Sequence, residues 1–562
     1  MKPGQIEAFD VVIIGAGING CGLFRELALQ GIRVLLIERE DFCAGASCAP
    51  SRLIHGGIKY LETGEFRLVA QSTLERNLLL RNAPHTVTPL PTTLPIRSWT
   101  GGIVPSLRRF LRLGGKMADR GVIVIELGLL IYDILGRRAR VMPRHTLTWG
   151  RRVRRRWPHM ARNVIATGRY YDAAIARPER LGFECVQDGL AANDTCEAWT
   201  YVDLQGFSGG RLVVRDRFTG SERVIAAPVI VNAGGAWIDR INATLGLATH
   251  YIGGTKGSHL VLDHPVLLRE LNGEMVYFGT PDGRICLAYP FLGHVLVGST
   301  DIRIDDPDAA ICTDEEEAYM LRMLGDLFPA FAFGPQDVIY RYAGVRPLPA
   351  SSAGDPGAIS RDHLIHEDHL GHTTVLSLVG GKWTTFRGLA EEVADQVLSK
   401  LQRARRVSTR TLAIGGGRNF PKAKARAAYL ASLAETHGLS QERCASLLDR
   451  YGTQAEAVAA FCSAAPDTAL SSLQDYTRRE LDFIARHEHV RCLSDVLFRR
   501  TTVALEGRLS PDVTREIAHI IGPSLGWDPI ESARQVRNTW HDANHHHGVA
   551  GTLQPSPETV AS

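Results

Sequence analysis

No run of apolar residues in this 562-residue chain is long enough to cross a bilayer. The most apolar segment, Gly121–Leu135, is too short and carries Glu126 and Asp133. It reads as a buried helix, with a membrane-dipping element as the lesser alternative. Met1–Ala8 is short and polar, so no secretory leader is expected. The ten cysteines include no C-x-x-C; the nearest pair is Cys43 and Cys48. They form no metal-like cluster, and this usage fits a reducing compartment. Charge of one sign is also scarce. The 64 basic and 60 acidic side chains leave a net +4, too little to make nucleic acid the main partner. The sequence has no internal repeat. Its length suggests about two to four domains.

What is present begins at once. Val11–Ile14 is a short β-branched run, as in a strand buried on both faces. Gly15, Gly17 and Gly20 then fit G-x-G-x-x-G. The first glycine permits a tight turn, the second lets a pyrophosphate reach the backbone, and the third lets the helix pack on the strand. The helix N-terminus offers N–H groups to phosphates. Val34–Ile37 is the second strand, and Glu38 ends it where an adenosine ribose hydroxyl is expected. With 55 glycines the motif alone is weak, but here strand, helix and acid all stand in place. A plain βαβ unit is the bland alternative, and the motif does not distinguish NAD from FAD.

Residues 61–85 look helical, and residues 86–160 are rich in Pro, Gly and Arg. Residues 195–235 alternate as strands do and end in Asn232-Ala233-Gly234-Gly235. Strands recur over 250–305 and at 374–380, where Gly380 and Gly381 lead into Lys382-Trp383-Thr384-Thr385 and a helix. Beyond a break at Arg410–Pro421 the chain reads as helical to residue 540. Residues 541–562 read as a disordered tail.

Several further blocks stand in order along the chain. They begin with Ser51-Arg52-Leu53-Ile54-His55-Gly56-Gly57-Ile58-Lys59-Tyr60-Leu61-Glu62 and continue with Arg169-Tyr170-Tyr171-Asp172-Ala173. Lys256-Gly257-Ser258-His259, Gly298-Ser299-Thr300-Asp301 and Tyr342-Ala343-Gly344-Val345-Arg346-Pro347-Leu348 follow. Ser360-Arg361-Asp362, Gly380–Thr385, His487–Arg491 and Phe498–Thr501 complete the set. In this order the blocks resemble the FAD-dependent glycerol-3-phosphate dehydrogenase family, the membrane-associated respiratory kind, and the resemblance implies FAD as cofactor. It also implies an α/β flavoprotein: a Rossmann-like FAD domain of the D-amino-acid-oxidase/glutathione-reductase type, a β-rich substrate (cap) domain and a C-terminal all-helical domain. The expected division is 9–90, 160–245 and 340–405 for FAD, 91–159 and 246–339 for the cap, and 415–540 for the helical domain.

It further implies site residues. Gly15, Gly17, Asn19, Gly20, Glu38, Arg39, Ser47, Ser51, His55, Gly56, Gly57, Ala233, Gly234, Gly381, Lys382 and Thr384 would contact FAD. For Ser47, ordinary turn capping is an alternative. Oxidising a secondary alcohol needs a base and a hydride acceptor. His259 is the candidate base, since an ordinary imidazole titrates near neutral pH; by itself it fits a structural histidine as well, or an electrostatic role. Arg346 is the second catalytic candidate. Lys59, Tyr60, Arg346, Arg361, Lys382 and Thr384 would hold the substrate, arginine supplying a planar fork for a phosphate dianion. No metal is expected.

Lys59 departs from the family, which usually has arginine there; lysine keeps the charge and loses the fork. Cys48 and Ala236 are lesser departures, and residues 174–210 differ most. The expected activity is oxidation of sn-glycerol 3-phosphate to dihydroxyacetone phosphate with membrane quinone as acceptor. Another polyol phosphate such as erythritol phosphate, oxygen as acceptor, and a flavin-binding membrane or RNA module are the alternatives. The run Arg151, Arg152, Arg154, Arg155 and Arg156 with Trp157 would face an anionic membrane surface. A cytoplasmic, peripheral location on the inner face of the cytoplasmic membrane is expected, and a homodimer is left open.

Overall fold

The structure is a computed structural model, and it describes residues 6–61, 64–102, 120–280, 284–350 and 362–550. Its centre is a six-stranded sheet in the order Leu364–Leu370, Thr373–Val379, Val229–Asn232, Val11–Ile14, Val34–Ile37, Glu197–Trp199. All neighbours are parallel except the edge strand Leu364–Leu370. The three middle strands are buried along their whole length, which is why they read as unbroken apolar runs. Helices Ile18–Leu29, Pro178–Ala192 and Phe386–Lys400 cover one face. A four-stranded sheet, Ile6–Ala8, Glu222–Ala226, Arg211–Asp216 and Val202–Ser208, covers the other.

A ten-stranded sheet forms the second body. Thr255–Leu262, which carries His259, pairs there with His294–Gly298 and with Val338–Arg346, which ends in Arg346. Two strands assigned from sequence to the FAD-binding segments, Ala166–Ile175 and Val338–Arg346, pair into this sheet instead. Alternation identifies a strand but not the sheet that it joins. Val87–Ile96 is a strand despite Pro89, Pro91 and Pro95. The three prolines are in phase, so their missing N–H donors fall on one edge.

From Arg426 to His547 the regular elements are helices. Buried ion pairs fasten this part to the nucleotide sheet. Arg500 donates two bonds of 2.8 Å to Asp41, Arg499 adds one of 2.6 Å, and Arg180 grips Glu488 at 2.6 and 2.8 Å.

Two expectations need correction. The helix Val122–Leu135 is not buried: Ile123 is 55%, Leu127 59% and Ile134 61% exposed, while Val122, Leu129 and Tyr132 pack inward. Its hydrophobicity is two-sided, and one side has no protein against it among the described residues. Among those residues, no helix is long and apolar enough to cross a membrane. Residues 541–547 are not a disordered tail. The helix Pro529–His547 runs through them, Trp540 and Ala543 are buried, and the His547 ring stacks on Tyr340 at 4.4 Å. Among the described residues no His, Cys, Asp or Glu cluster is arranged to hold a metal ion.

Candidate active site

The turn after Val11–Ile14 is shaped by steric necessity. Gly15 has φ +103°, and a Cβ there would lie 2.8 Å from the Ala233 carbonyl oxygen. A Cβ on Gly20 would lie 1.9 Å from the Gly15 oxygen, so only glycine lets helix Ile18–Leu29 sit this close. Gly17 precedes the first helical residue. The Ile18 N–H already donates to Ser47 Oγ at 2.9 Å, so Ser47 caps the helix as well as facing the cavity. Glu38 accepts from the Ala16 N–H at 2.6 Å and from the Glu40 N–H at 3.0 Å, which leaves lone pairs for a ribose hydroxyl. Burial raises the pKa of its carboxyl. Arg39 stands at the rim, paired with Asp308 at 2.6 Å and lying over Trp237. Gly381, φ +91°, closes the cradle, since a Cβ there would meet the Asn19 amide. Asn19 donates to the Gly380 carbonyl at 3.3 Å, and its buried Oδ1 has no partner among the described residues.

From this cradle a cavity of about 1030 Å³ runs past Ala233, Gly234 and Ser51 to His55, Tyr60, His259, Arg346, Lys382 and Thr384. That is the size of a large ligand site. His259 Nε2 lies 2.8 Å from Ser51 Oγ, its ring stacks on Tyr342 at 5.0 Å, and its buried Nδ1 has no partner among the described residues. Arg346 donates to Asp301 and to Ser299 Oγ at 3.1 Å each, and to the Thr300 carbonyl at 3.2 Å. Its guanidinium lies so close over Gly257 that a Cβ there would be 2.1 Å from Nη2. Lys382 Nζ sits 3.9 Å from the centre of the Tyr60 ring, is buried, and has no hydrogen-bond acceptor among the described residues. Thr384 Oγ1 donates to the His55 carbonyl at 3.1 Å.

Not every predicted residue meets the cavity. Gly20 acts through packing alone. The Gly56 N–H donates to Asp172 at 2.8 Å, and Gly57, φ +77°, turns the chain under Tyr60, so these two shape the segment rather than line it. Lys59 is half buried and does not line the cavity. Arg361 lies outside the described residues. Of the arginine run, Arg154 donates to the carbonyls of Met160, Ala161, Arg162 and Val164, and Arg156 reaches Glu274. Only Arg151, Arg152 and Arg155 are exposed. Sequence reasoning did not single out Arg52, Asp172, Thr300 and Glu316 as site supports. Their signal was weak: Arg52, Asp172 and Thr300 lie inside quoted blocks, and Glu316 in none.

His259 does not titrate near neutral pH. Burial, then the charges of Arg346 and Arg52, lower its pKa from 6.5 to about 3. The folded imidazole therefore stays neutral between pH 5 and 8. The unfolded chain takes up this proton as pH falls through about 6.5, so His259 costs stability from there down to about pH 3. Histidine-selective ¹⁵N NMR of wild type and His259→Asn should assign one ring that shows no titration from pH 8 to 5. A midpoint near 6.5 for that ring contradicts this.

The family model described as "FAD dependent oxidoreductase" matches residues 10–396. That of the "C-terminal domain of alpha-glycerophosphate oxidase" matches 407–532. A glycerol-3-phosphate dehydrogenase of Synechocystis sp. is 31% identical over 564 aligned positions, 95% of this chain and 96% of that protein. The aerobic glycerol-3-phosphate dehydrogenase of Bacillus subtilis is 28% identical, with 90% and 88% covered. Among solved structures, the glycerol-3-phosphate dehydrogenase of Bacillus halodurans complexed with FAD superimposes with a TM-score of 0.74 at 22% identity, covering 99% of this chain and 97% of that one. The glycine turn, the open lone pairs of Glu38, the Asn19 Oδ1 without a partner among the described residues and the size of the cavity fit FAD, whose ribose Glu38 would hold.

Proposed function

This chain belongs to the FAD-dependent glycerol-3-phosphate dehydrogenase family, and from that premise we propose that it oxidises sn-glycerol 3-phosphate to dihydroxyacetone phosphate and passes the electrons to membrane quinone. The observation that carries the substrate reading is that Arg346 and a buried Lys382 Nζ, which has no acceptor among the described residues, line one cavity with His259. A buried ammonium without a partner is costly, and a phosphate dianion supplies what it lacks. Bound FAD supplies the hydride acceptor. Lys382 and Arg346 hold the phosphate and orient the secondary alcohol. With Nε2–H donating to Ser51 Oγ, the bare Nδ1 of neutral His259 takes the hydroxyl proton. Burial, then the Arg346 charge, depresses this imidazole; the phosphate offsets the second of these, so substrate binding makes the base stronger.

The reading extends to a peripheral site on the inner face of the cytoplasmic membrane. It is supported by the exposed row Ile123, Leu127, Leu130 and Ile134 on helix Val122–Leu135, by exposed Trp99 and Trp149, and by exposed Arg151, Arg152 and Arg155. Apolar side chains enter the headgroup boundary, tryptophans sit at its level, and arginines meet anionic lipid.

Turnover with a water-soluble quinone analogue tests the enzymatic reading. sn-Glycerol 3-phosphate should support it, glycerol should not, and inorganic phosphate should compete. Stoichiometric peroxide release at an equal rate in oxygen would make the protein an oxidase instead. For the membrane, the holoenzyme should sediment with anionic vesicles, and Leu127→Glu should abolish this while leaving turnover with the soluble acceptor intact. Sedimentation of the variant equal to wild type would remove this helix from the contact.

A further inference from the structure

The cation that faces the substrate is not held by its own strand alone. Arg346 reaches across to the segment Gly298–Asp301, where it bonds Ser299 Oγ, the Thr300 carbonyl and Asp301. That segment is itself tied down at one buried point. Thr300 is 1% exposed, and its hydroxyl donates to Glu316 Oε1 at 2.6 Å while accepting the Ser258 N–H at 2.9 Å. Ser258 is the residue before His259, and its hydroxyl donates to the same Glu316 oxygen at 2.9 Å. The other oxygen of Glu316 accepts from Lys256 Nζ at 2.7 Å and from the Thr313 N–H at 3.0 Å. Glu316 therefore fills its acceptor sites with two hydroxyls, an ammonium and an amide. It stands in the first turn of helix Asp314–Leu327, as the acid of a capping box with Thr313.

No member of this cluster except Arg346 and His259 lines the cavity, yet every member bonds to a segment that carries one of them. We propose that Glu316 and Thr300 form a positioning relay that fixes the Arg346 guanidinium and the His259 strand relative to each other. The physical reason is geometric. Arg346 and His259 stand on neighbouring antiparallel strands, His259 facing Tyr342 and Arg346 facing Thr255, several positions apart. Strand pairing fixes their backbones but not the reach of a long arginine side chain, which keeps rotamer freedom unless its far end is anchored. Thr300 anchors that end through its carbonyl, and through its hydroxyl it joins the anchor to the residue before His259. The relay deepens the reading given under Proposed function and rests on it.

Thr300→Val removes the hydroxyl and keeps the shape, and Thr300→Ser restores the hydroxyl. In the FAD-loaded enzyme, Thr300→Val, which removes both hydrogen bonds of the hydroxyl, should raise the KM for sn-glycerol 3-phosphate by about tenfold or more. Flavin content should be unchanged, and Thr300→Ser should return KM to near the wild-type value. Glu316→Gln should raise KM in the same direction. The deciding readout is a double-mutant cycle. In an Arg346→Ala background, Thr300→Val should add little, because the group it positions is gone. Additive effects in that cycle, or a wild-type KM for Thr300→Val, would overturn the relay. Wild-type enzyme that oxidises no polyol phosphate would instead overturn the substrate reading, before any variant is made.

Discussion

Lys382→Met should lower kcat/KM for glycerol 3-phosphate by roughly 100-fold, about 2.7 kcal/mol, the scale of a charge-assisted hydrogen bond. In wild type the Lys382 ammonium is buried against the Tyr60 ring at 3.9 Å with no acceptor among the described residues. The ring face offsets part of the desolvation cost, and a phosphate oxygen offsets the rest. Methionine keeps the stem and packing and removes the charge. The variant should therefore differ from an ordinary site knockout in a second way. Its substrate-free holoenzyme should melt at a higher temperature than wild type, because an isolated buried charge is gone. Inorganic phosphate should raise the melting temperature of wild type and leave that of the variant nearly unmoved. A lower melting temperature with unchanged KM would show that Lys382 is a structural residue.

Gly20→Ala should yield a colourless protein. Alanine in an exposed helix normally stabilises by about 1 kcal/mol relative to glycine. Here the sign reverses, because the added Cβ would lie 1.9 Å from the Gly15 carbonyl oxygen. Helix Ile18–Leu29 must move away from the turn by roughly 1 Å, and its N-terminus would leave the pyrophosphate by the same amount. FAD affinity should fall by about two orders of magnitude or more, as misplacement on that scale costs elsewhere. Gly128→Ala is the matched control, since a Cβ there meets nothing within 4 Å. That variant should retain its full flavin absorbance. Full flavin occupancy in Gly20→Ala would contradict the assigned role of the turn.

The nucleotide half of the fold was legible because its information is local. The strands Val11–Ile14, Val34–Ile37 and Val229–Asn232 are buried on both faces and so announce themselves as apolar runs. The turn between them must be glycine for steric reasons that leave a pattern in the sequence. The supports of the site were less legible, because their partners lie far apart. Asp41 meets Arg500 across 459 positions, and Thr384 meets the His55 carbonyl across 329. No spacing rule connects such residues. The resemblance reached His259, Arg346 and Lys382 but could not give their state. Imidazole chemistry suggested a group titrating near neutral pH, and burial beside two arginines moved it to about 3. Apolar content likewise did not say which side of helix Val122–Leu135 would be covered. The run Arg151–Arg156 reads in the sequence as one basic block facing an anionic membrane surface, yet Arg154 and Arg156 are taken up by backbone carbonyls outside the run.

Lys59 keeps the choice of substrate a quantitative matter. It does not line the cavity, so the exchange of arginine for lysine there leaves both Lys382 and Arg346 in the lining. The measurement that tests the central claim most directly is anaerobic mixing of the FAD-loaded enzyme with polyol phosphates in a stopped-flow spectrophotometer. sn-Glycerol 3-phosphate should bleach the flavin absorbance completely and faster than erythritol phosphate, with one dihydroxyacetone phosphate formed per flavin. A flavin that stays oxidised with sn-glycerol 3-phosphate while a four-carbon polyol phosphate bleaches it would contradict the account.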